Sequence, residues 1–134
     1  MDNLTINHVN IRTKNLFLMI NWYKRILDLK SGSRPNFNFE GAWLYTKDKP
    51  VLHLIVDPNT KEYNKHQQLE HFAFTATGLD KFLKKLNQEN VSYNCTILPQ
   101  LRTKLVNIYD YDGNHLHVDF NRHEDSILFN MGYD

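Results

Sequence analysis

The stretch that decides the fold is Ile6-Asn7-His8-Val9-Asn10-Ile11-Arg12-Thr13-Lys14-Asn15-Leu16, because it returns 63 residues later as Leu69-Glu70-His71-Phe72-Ala73-Phe74-Thr75-Ala76-Thr77-Gly78-Leu79. A second pair has an offset of 64 residues and aligns Leu52-His53-Leu54 with Leu116-His117-Val118. Each half of the chain therefore carries one histidine near its start and one near its end. A repeat of this length indicates two copies of one supersecondary unit that bury a shared core.

Composition places the chain among ordinary globular proteins and argues against several functions. Its 134 residues are 41% hydrophobic and 23% charged, enough for one domain with its own core. A net charge of +1 without clustered Lys and Arg argues against a nucleic-acid partner, which would need a basic face. The single Cys95 fits a reducing compartment. No segment reads as a signal peptide or a membrane span, so we expect a cytoplasmic protein without a membrane partner.

The first half predicts the order strand, helix and further strands. Residues 5–12 alternate between polar and apolar side chains, as a half-buried strand does. A helix with an apolar stripe follows and ends at Leu27. Residues 41–45 and 51–56 read as strands, and the polar residues 57–68 read as the connector between the halves.

The second half repeats that order. Residues 70–75 read as a strand, and Thr77 is the expected cap of an amphipathic helix. Three more strands are predicted at 91–97, 104–109 and 115–120. Each half is therefore expected to be strand, helix and three strands, which makes the chain an α+β protein.

These elements group into two βαβββ modules, about residues 4–58 and about residues 68–121, within a single domain spanning residues 1–134. The residues after Asn121 are expected to form a surface tail or a dimer contact. A strongly curved sheet with open edges invites pairing with a second copy, so we expect a homodimer.

Four histidines occupy equivalent places in the two modules and are the candidate metal ligands. Alternation puts His8 and His71 on the same face of equivalent first strands, and it does the same for His53 and His117 on the last strands. Buried polar groups need partners, and imidazole is the commonest protein ligand for metals. The pattern therefore predicts one divalent metal ion bound by all four.

Three further residues are expected to line the pocket around that ion. His115 lies one pleat before His117 and is assigned to the pocket lining, and Asp119 on the same face can orient His117. Arg12 shares a face with His8 and could hold a substrate carboxylate, although an exposed arginine at a strand end is an equal alternative. His117 is the expected catalytic base.

Other conspicuous side chains are assigned to structure or solvent. His66 and His123 lie in polar segments and are expected to be solvated. Trp22, Tyr23 and Trp43 are expected in the core or an interface.

The quoted residues resemble the vicinal oxygen chelate superfamily, which includes glyoxalase I, extradiol dioxygenases, methylmalonyl-CoA epimerase and the bleomycin- and fosfomycin-resistance proteins. The resemblance covers roughly residues 4–120. Its motifs are Ile6-Asn7-His8-Val9, Trp22-Tyr23, Leu27-Asp28-Leu29, Arg34-Pro35, Gly41-Ala42-Trp43-Leu44, Leu52-His53-Leu54, Glu70-His71-Phe72-Ala73-Phe74 and Asp110-Tyr111-Asp112-Gly113-Asn114.

The resemblance implies a glyoxalase-like fold, in which the two modules form a cupped mixed sheet around a metal, usually in a homodimer. By the pattern of glyoxalase I, the ligand positions fall on His8, His53, His71 and His117, and Arg12 falls where an arginine holds a glutathione carboxylate. The family usually has glutamate at the position of His117, and glyoxalase I has glutamate at that of His53. This departure removes the carboxylate ligands, but a histidine can also move a proton near neutral pH.

Three functions remain open from the sequence. The first is a glyoxalase-like lyase or isomerase that uses nickel, cobalt, iron or zinc and acts on a small oxygenated substrate that chelates the metal. The second is an extradiol-type iron dioxygenase. The third is a metal-free protein that binds a small molecule, as bleomycin-resistance proteins do.

Overall fold

The computed structural model describes residues 1–62 and 66–131. The chain divides into two compact units, Met1–Glu62 and Tyr63–Asp134, and each is a βαβββ module followed or preceded by loops. The division falls within the predicted connector at residues 57–68. The α+β class and the two βαβββ modules expected from the sequence are confirmed.

The first unit contains a four-stranded mixed sheet in the order β1-β4-β3-β2, covered on one face by α1. Its elements are β1 (Val9–Thr13), α1 (Leu16–Leu27), β2 (Lys30–Ser31), β3 (Gly41–Thr46) and β4 (Lys49–Val56). β1 runs parallel to β4, and the other pairs are antiparallel.

Alternation along β3 and β4 sorts the first unit's side chains into two faces. Leu44, Leu52 and Leu54 point toward α1 and are fully buried there. From α1, Met19 and Tyr23 fill the same core. Because successive side chains alternate, the residues between these leucines lie on the opposite face.

The second unit repeats the arrangement with the strand order β5-β8-β7-β6. Its elements are β5 (Phe72–Thr75), α2 (Leu79–Gln88), β6 (Asn94–Ile97), β7 (Lys104–Tyr109), β8 (His115–Phe120) and α3 (Ile127–Met131). β5 is parallel to β8. The core is built from fully buried side chains of α2, β7 and β8, among them Leu83, Leu86, Val106, Ile108 and Leu116.

The N-terminus of α2 is not capped as the sequence suggested. Thr77 was the expected cap, but the cap position is Gly78 and makes no side-chain hydrogen bond. Instead the Glu124 carboxylate accepts from the backbone N–H groups of Gly78 and Leu79, at 2.8 and 2.9 Å. A carboxylate at a helix N-terminus satisfies two orphan donors and complements the helix dipole.

The segment after Asn121 is only partly the surface tail that the sequence suggested, and the alternative of a dimer contact stays a prediction. Phe129 of α3 is fully buried, and Ser126 donates a hydrogen bond to Asp80 of α2 at 2.8 Å. The Lys104 ammonium lies 5.4 Å from the Phe129 ring centroid and donates to the Glu124 carbonyl. Ser126 and Phe129 are thus buried in the second unit, whereas Asp125 and Ile127 between and beside them are exposed.

No helix among the described residues is both long and apolar enough to cross a bilayer.

Candidate metal and proton-transfer site

The candidate histidines lie on the sheet face that the helices do not cover. In the first unit His53 is opposite Asn10 of β1 and Trp43 of β3, and in the second unit His117 is opposite Ala73 and Asn107. His53 and His117 are both buried. The alternation argument therefore placed them on the correct face.

In the first unit, His8 and His53 are neighbours. Their ring centroids are 3.9 Å apart with planes at 11°, and Trp43 stacks on the other side of His53 at 4.1 Å. Trp22 and Tyr23 are buried core residues, but Trp43 belongs to the histidine face. Nearly parallel stacked rings do not aim their lone pairs at one point, so a shared ion here needs one ring to turn.

Each of these two rings has one nitrogen held by an oxygen acceptor. His8 Nδ1 donates to the Asn7 side-chain oxygen at 2.7 Å, and His53 Nε2 donates to the Pro50 carbonyl at 3.1 Å. Burial, followed by the neighbouring His8, lowers the pKa of His53. A neutral His53 with its proton on Nε2 leaves Nδ1 as the ligand atom.

In the second unit, His71 and His117 are neighbours with a different geometry. Their ring centroids are 4.7 Å apart and their planes meet at 44°. His117 Nδ1 donates to the carboxylate of Asp119, the contact that the sequence suggested. Because the carboxylate fixes the proton on Nδ1, His117 presents Nε2 as its unprotonated nitrogen.

Glu70 accepts a hydrogen bond from His71 in the same way, a contact that the sequence did not predict. His71 Nδ1 donates to one carboxylate oxygen of Glu70, and His115 Nδ1 lies 3.2 Å from the other. The hydrogen bond from His71, and after it the one from His115, lowers the pKa of Glu70. Within a strand, neighbouring residues such as Glu70 and His71 would point to opposite faces of the sheet. Glu70 lies before β5, so this alternation does not fix the direction of its side chain. The one sequence feature that indicates this contact is that Glu70 directly precedes His71.

His115 is engaged at both ring nitrogens. Its Nδ1 lies 3.2 Å from Glu70, and its Nε2 lies 3.0 Å from Asn107 Oδ1. The amide of Asn107 is oriented by its own donation to Thr96 Oγ1 at 3.2 Å. His115 could therefore bind an ion only after giving up one of these hydrogen bonds, and its role in lining a pocket stays a prediction.

The residues of the second unit fit a divalent metal. Within the described residues, Glu70, His71 and His115 each offer a ligand atom, and these atoms lie within 4.8 Å of one another. The His71 and His117 ring centroids are 4.7 Å apart, and in both rings Nδ1 donates to a carboxylate, so that Nε2 is the unprotonated nitrogen. Imidazole and carboxylate suit zinc, iron, nickel and cobalt. The four-histidine site as a whole stays a prediction.

Arg12 lies at the edge of the first unit's sheet. Its side chain is 74% exposed, and its Nε is 3.8 Å from the Asp57 carboxylate. An exposed ion pair of this length contributes little to stability. The role of Arg12 in holding a substrate carboxylate stays a prediction.

Two βαβββ modules repeat in the chain, and each carries a buried histidine on the sheet face that its helix leaves uncovered. The family model of the Glyoxalase/Bleomycin resistance protein/Dioxygenase superfamily matches residues 5–118. The chain belongs to this superfamily.

Solved structures of similar fold carry names from the same superfamily. A glyoxylase/bleomycin resistance protein/dioxygenase domain from Frankia sp. EAN1pec is 18% identical with a TM-score of 0.74, covering 90% of this chain and 100% of its own. A glyoxalase family protein from Enterococcus faecalis is 20% identical with a TM-score of 0.71, covering 89% and 99%. Lactoylglutathione lyase from Agrobacterium tumefaciens is 14% identical with a TM-score of 0.66, covering 91% and 97%. No curated protein sequence matches the chain. At these identities the likeness shows the fold alone.

Proposed function

We propose that the protein is a metal-dependent lyase or isomerase that moves a proton on a small oxygenated substrate. The observation that carries the proposal is the pair of carboxylate-held histidines in the second unit, His71 with Glu70 and His117 with Asp119. In both rings the carboxylate accepts a hydrogen bond from Nδ1 and leaves Nε2 as the unprotonated nitrogen. The same arrangement suits metal ligands and general bases.

The metal would be held by His71 and His117 and would be divalent. Bound there, it would polarise a carbonyl or hydroxyl oxygen of the substrate and so acidify the adjacent C–H group. The lactoylglutathione lyase among the similar structures bears a name consistent with this class of reaction.

The proton would be taken by His117. Its Nε2 carries the lone pair, and Asp119 orients the ring and stabilises the imidazolium that forms. The same nitrogen can return the proton to a neighbouring carbon, which gives an isomer, or to a leaving group, which gives a lyase product. Metal binding and proton transfer both use Nε2 of His117. His117 would therefore have to leave the metal before it takes the proton.

The test is C–H exchange in deuterated water. Protein freed of metal is loaded with nickel, cobalt, iron or zinc and offered α-hydroxy ketones, and methylglyoxal with glutathione. We expect metal-dependent exchange or turnover that falls about 10²–10⁴-fold in His117→Ala and about 10–100-fold in Asp119→Asn. His123→Ala, an exposed histidine outside the site, is the matched control. Exchange that is unchanged in His117→Ala would contradict the proposal, and tight ligand binding without turnover in any metal form would favour a binding protein.

A second function is favoured by a separate observation. Glu70, His71 and His115 supply two imidazoles and one carboxylate within 4.8 Å, the ligand type that iron oxygenases use. An extradiol-type dioxygenase would consume oxygen in the presence of a catechol and lose this activity in Glu70→Gln. Proton exchange without oxygen uptake would exclude this alternative.

A further inference from the structure

The first unit carries a strip of aromatic rings beside its histidines. Phe37 and Phe39 lie in the segment between β2 and β3, and their rings stack at 4.9 Å. The Phe37 centroid is 6.5 Å from Trp43, which in turn stacks on His53. We call Phe37, Phe39 and Trp43 the aromatic strip.

Much of the aromatic strip is open to solvent. Phe37 and Phe39 are each 41% exposed, although they could bury far more area in a core. Partly exposed aromatic side chains favour a planar aromatic molecule over a bulky aliphatic one, because aromatic rings pair in offset-stacked or edge-to-face arrangements.

A cation lies over this strip. The guanidinium carbon of Arg34 is 4.9 Å from the Phe37 centroid and 5.0 Å from the Phe39 centroid. Arg34 Nη2 donates to the Phe39 carbonyl at 3.0 Å. A guanidinium has five N–H donors in a planar fork, and this fork matches a carboxylate.

The repeat shows that the aromatic strip is particular to one unit. The strand residue opposite His53 is Trp43, whereas the residue opposite His117 in the second unit is Asn107. In the first unit Trp43 stacks on His53, whereas in the second unit the equivalent position is held by Asn107, which hydrogen-bonds His115. The two units therefore offer different chemistry on equivalent strands.

We propose that Arg34 and the aromatic strip form a subsite for a planar aromatic acid, whose ring stacks on the strip and whose carboxylate pairs with Arg34. The substrate class that follows is an aromatic carboxylic acid with an oxygenated substituent. This inference rests on the proposed function in one respect, namely that the oxygenated substituent reacts at the histidines.

The subsite is tested without metal, so that its failure is separate from that of the proposed function. Calorimetric titration in the presence of a chelator compares 2-naphthoate with the neutral 2-naphthamide and with the non-planar cyclohexanecarboxylate. We expect 2-naphthoate to bind most tightly. Arg34→Gln should weaken 2-naphthoate about tenfold and leave 2-naphthamide unchanged, the effect of losing one charge-assisted hydrogen bond.

Control variants separate binding from folding. Arg25→Gln removes an equal charge from the exposed side of α1 and should bind as the parent does. Arg34→Lys keeps the charge without the fork and should fall between the parent and Arg34→Gln, and Phe37→Leu should weaken both naphthalenes. The proposal is overturned if cyclohexanecarboxylate binds as well as 2-naphthoate, if Arg34→Lys and Arg34→Gln bind like the parent, or if no naphthalene binds.

Discussion

At the scale of single residues, the chemistry depends on which ring nitrogen each histidine offers. Glu70 and Asp119 fix the protons of His71 and His117 on Nδ1, so both rings present Nε2. In the first unit the ring nitrogens that donate a hydrogen bond to an oxygen are Nδ1 of His8 and Nε2 of His53. A histidine is a ligand or a base only through its unprotonated nitrogen, so these acceptors decide what each ring can do.

The sequence could predict the histidines but only some of their partners. His53, His117 and Asp119 lie inside regular strands, where the alternation of side chains fixes the face. His8, Glu70 and His71 precede their strands, so their side-chain directions depend on loop geometry that no periodicity encodes. Trp43 was expected in the core or an interface, and its stacking on His53 depends on the hairpin register.

Cys95 provides a prediction at this scale. Its thiol is buried, and burial raises its pKa from 9.0 to about 11. Since the folded state favours the protonated thiol, the contribution of this group to stability is present below about pH 9 and lost as the pH rises through about 11. Native protein at pH 8 should therefore react slowly with a thiol reagent such as DTNB, and unfolded protein should react fast. Complete reaction of the native protein at the unfolded rate would contradict the burial of Cys95.

At the scale of elements, the second unit is closed by its C-terminal segment. Glu124 caps α2 across 45 residues of sequence, and Ser126 and Phe129 pack against the same region. The strands at 104–109 and 115–120 were predicted with their exact bounds, since alternating patterns and a turn define them. The cap was missed because a distant carboxylate took the place that local sequence assigned to Thr77.

Removing this cap should destabilise the second unit. Glu124→Ala leaves the N–H groups of Gly78 and Leu79 without their acceptor, and we expect a loss of about 1–2 kcal/mol in the free energy of unfolding. The melting temperature should fall by several degrees. Glu62→Ala, an exposed glutamate outside the segment, is the control. Equal melting temperatures for both variants would show that Glu124 does not stabilise α2.

At the scale of the whole molecule, two copies of one module have diverged in chemistry. The strand order is the same in both units. His53 and His117 lie in the equivalent strands β4 and β8, and His8 and His71 come directly before β1 and β5. Trp43 stacks on His53 in the first unit, whereas Asp119 accepts a hydrogen bond from His117 and Asn107 one from His115 in the second. The repeat could be recognised from the sequence because the segments that contain the histidines have the same order of polar and apolar residues in both halves. The homodimer stays a prediction, and light scattering of the untagged protein tests it.

The most direct test of the central claim is the metal content of untagged protein, measured by elemental analysis after exposure to each of the four candidate ions and removal of excess. We expect about one transition-metal ion per chain, held by imidazole nitrogen. His71→Ala and His117→Ala should each lose most of it, and His123→Ala should keep it. His8→Ala shows whether the first unit contributes a ligand. Full metal content in both His71→Ala and His117→Ala would contradict the account.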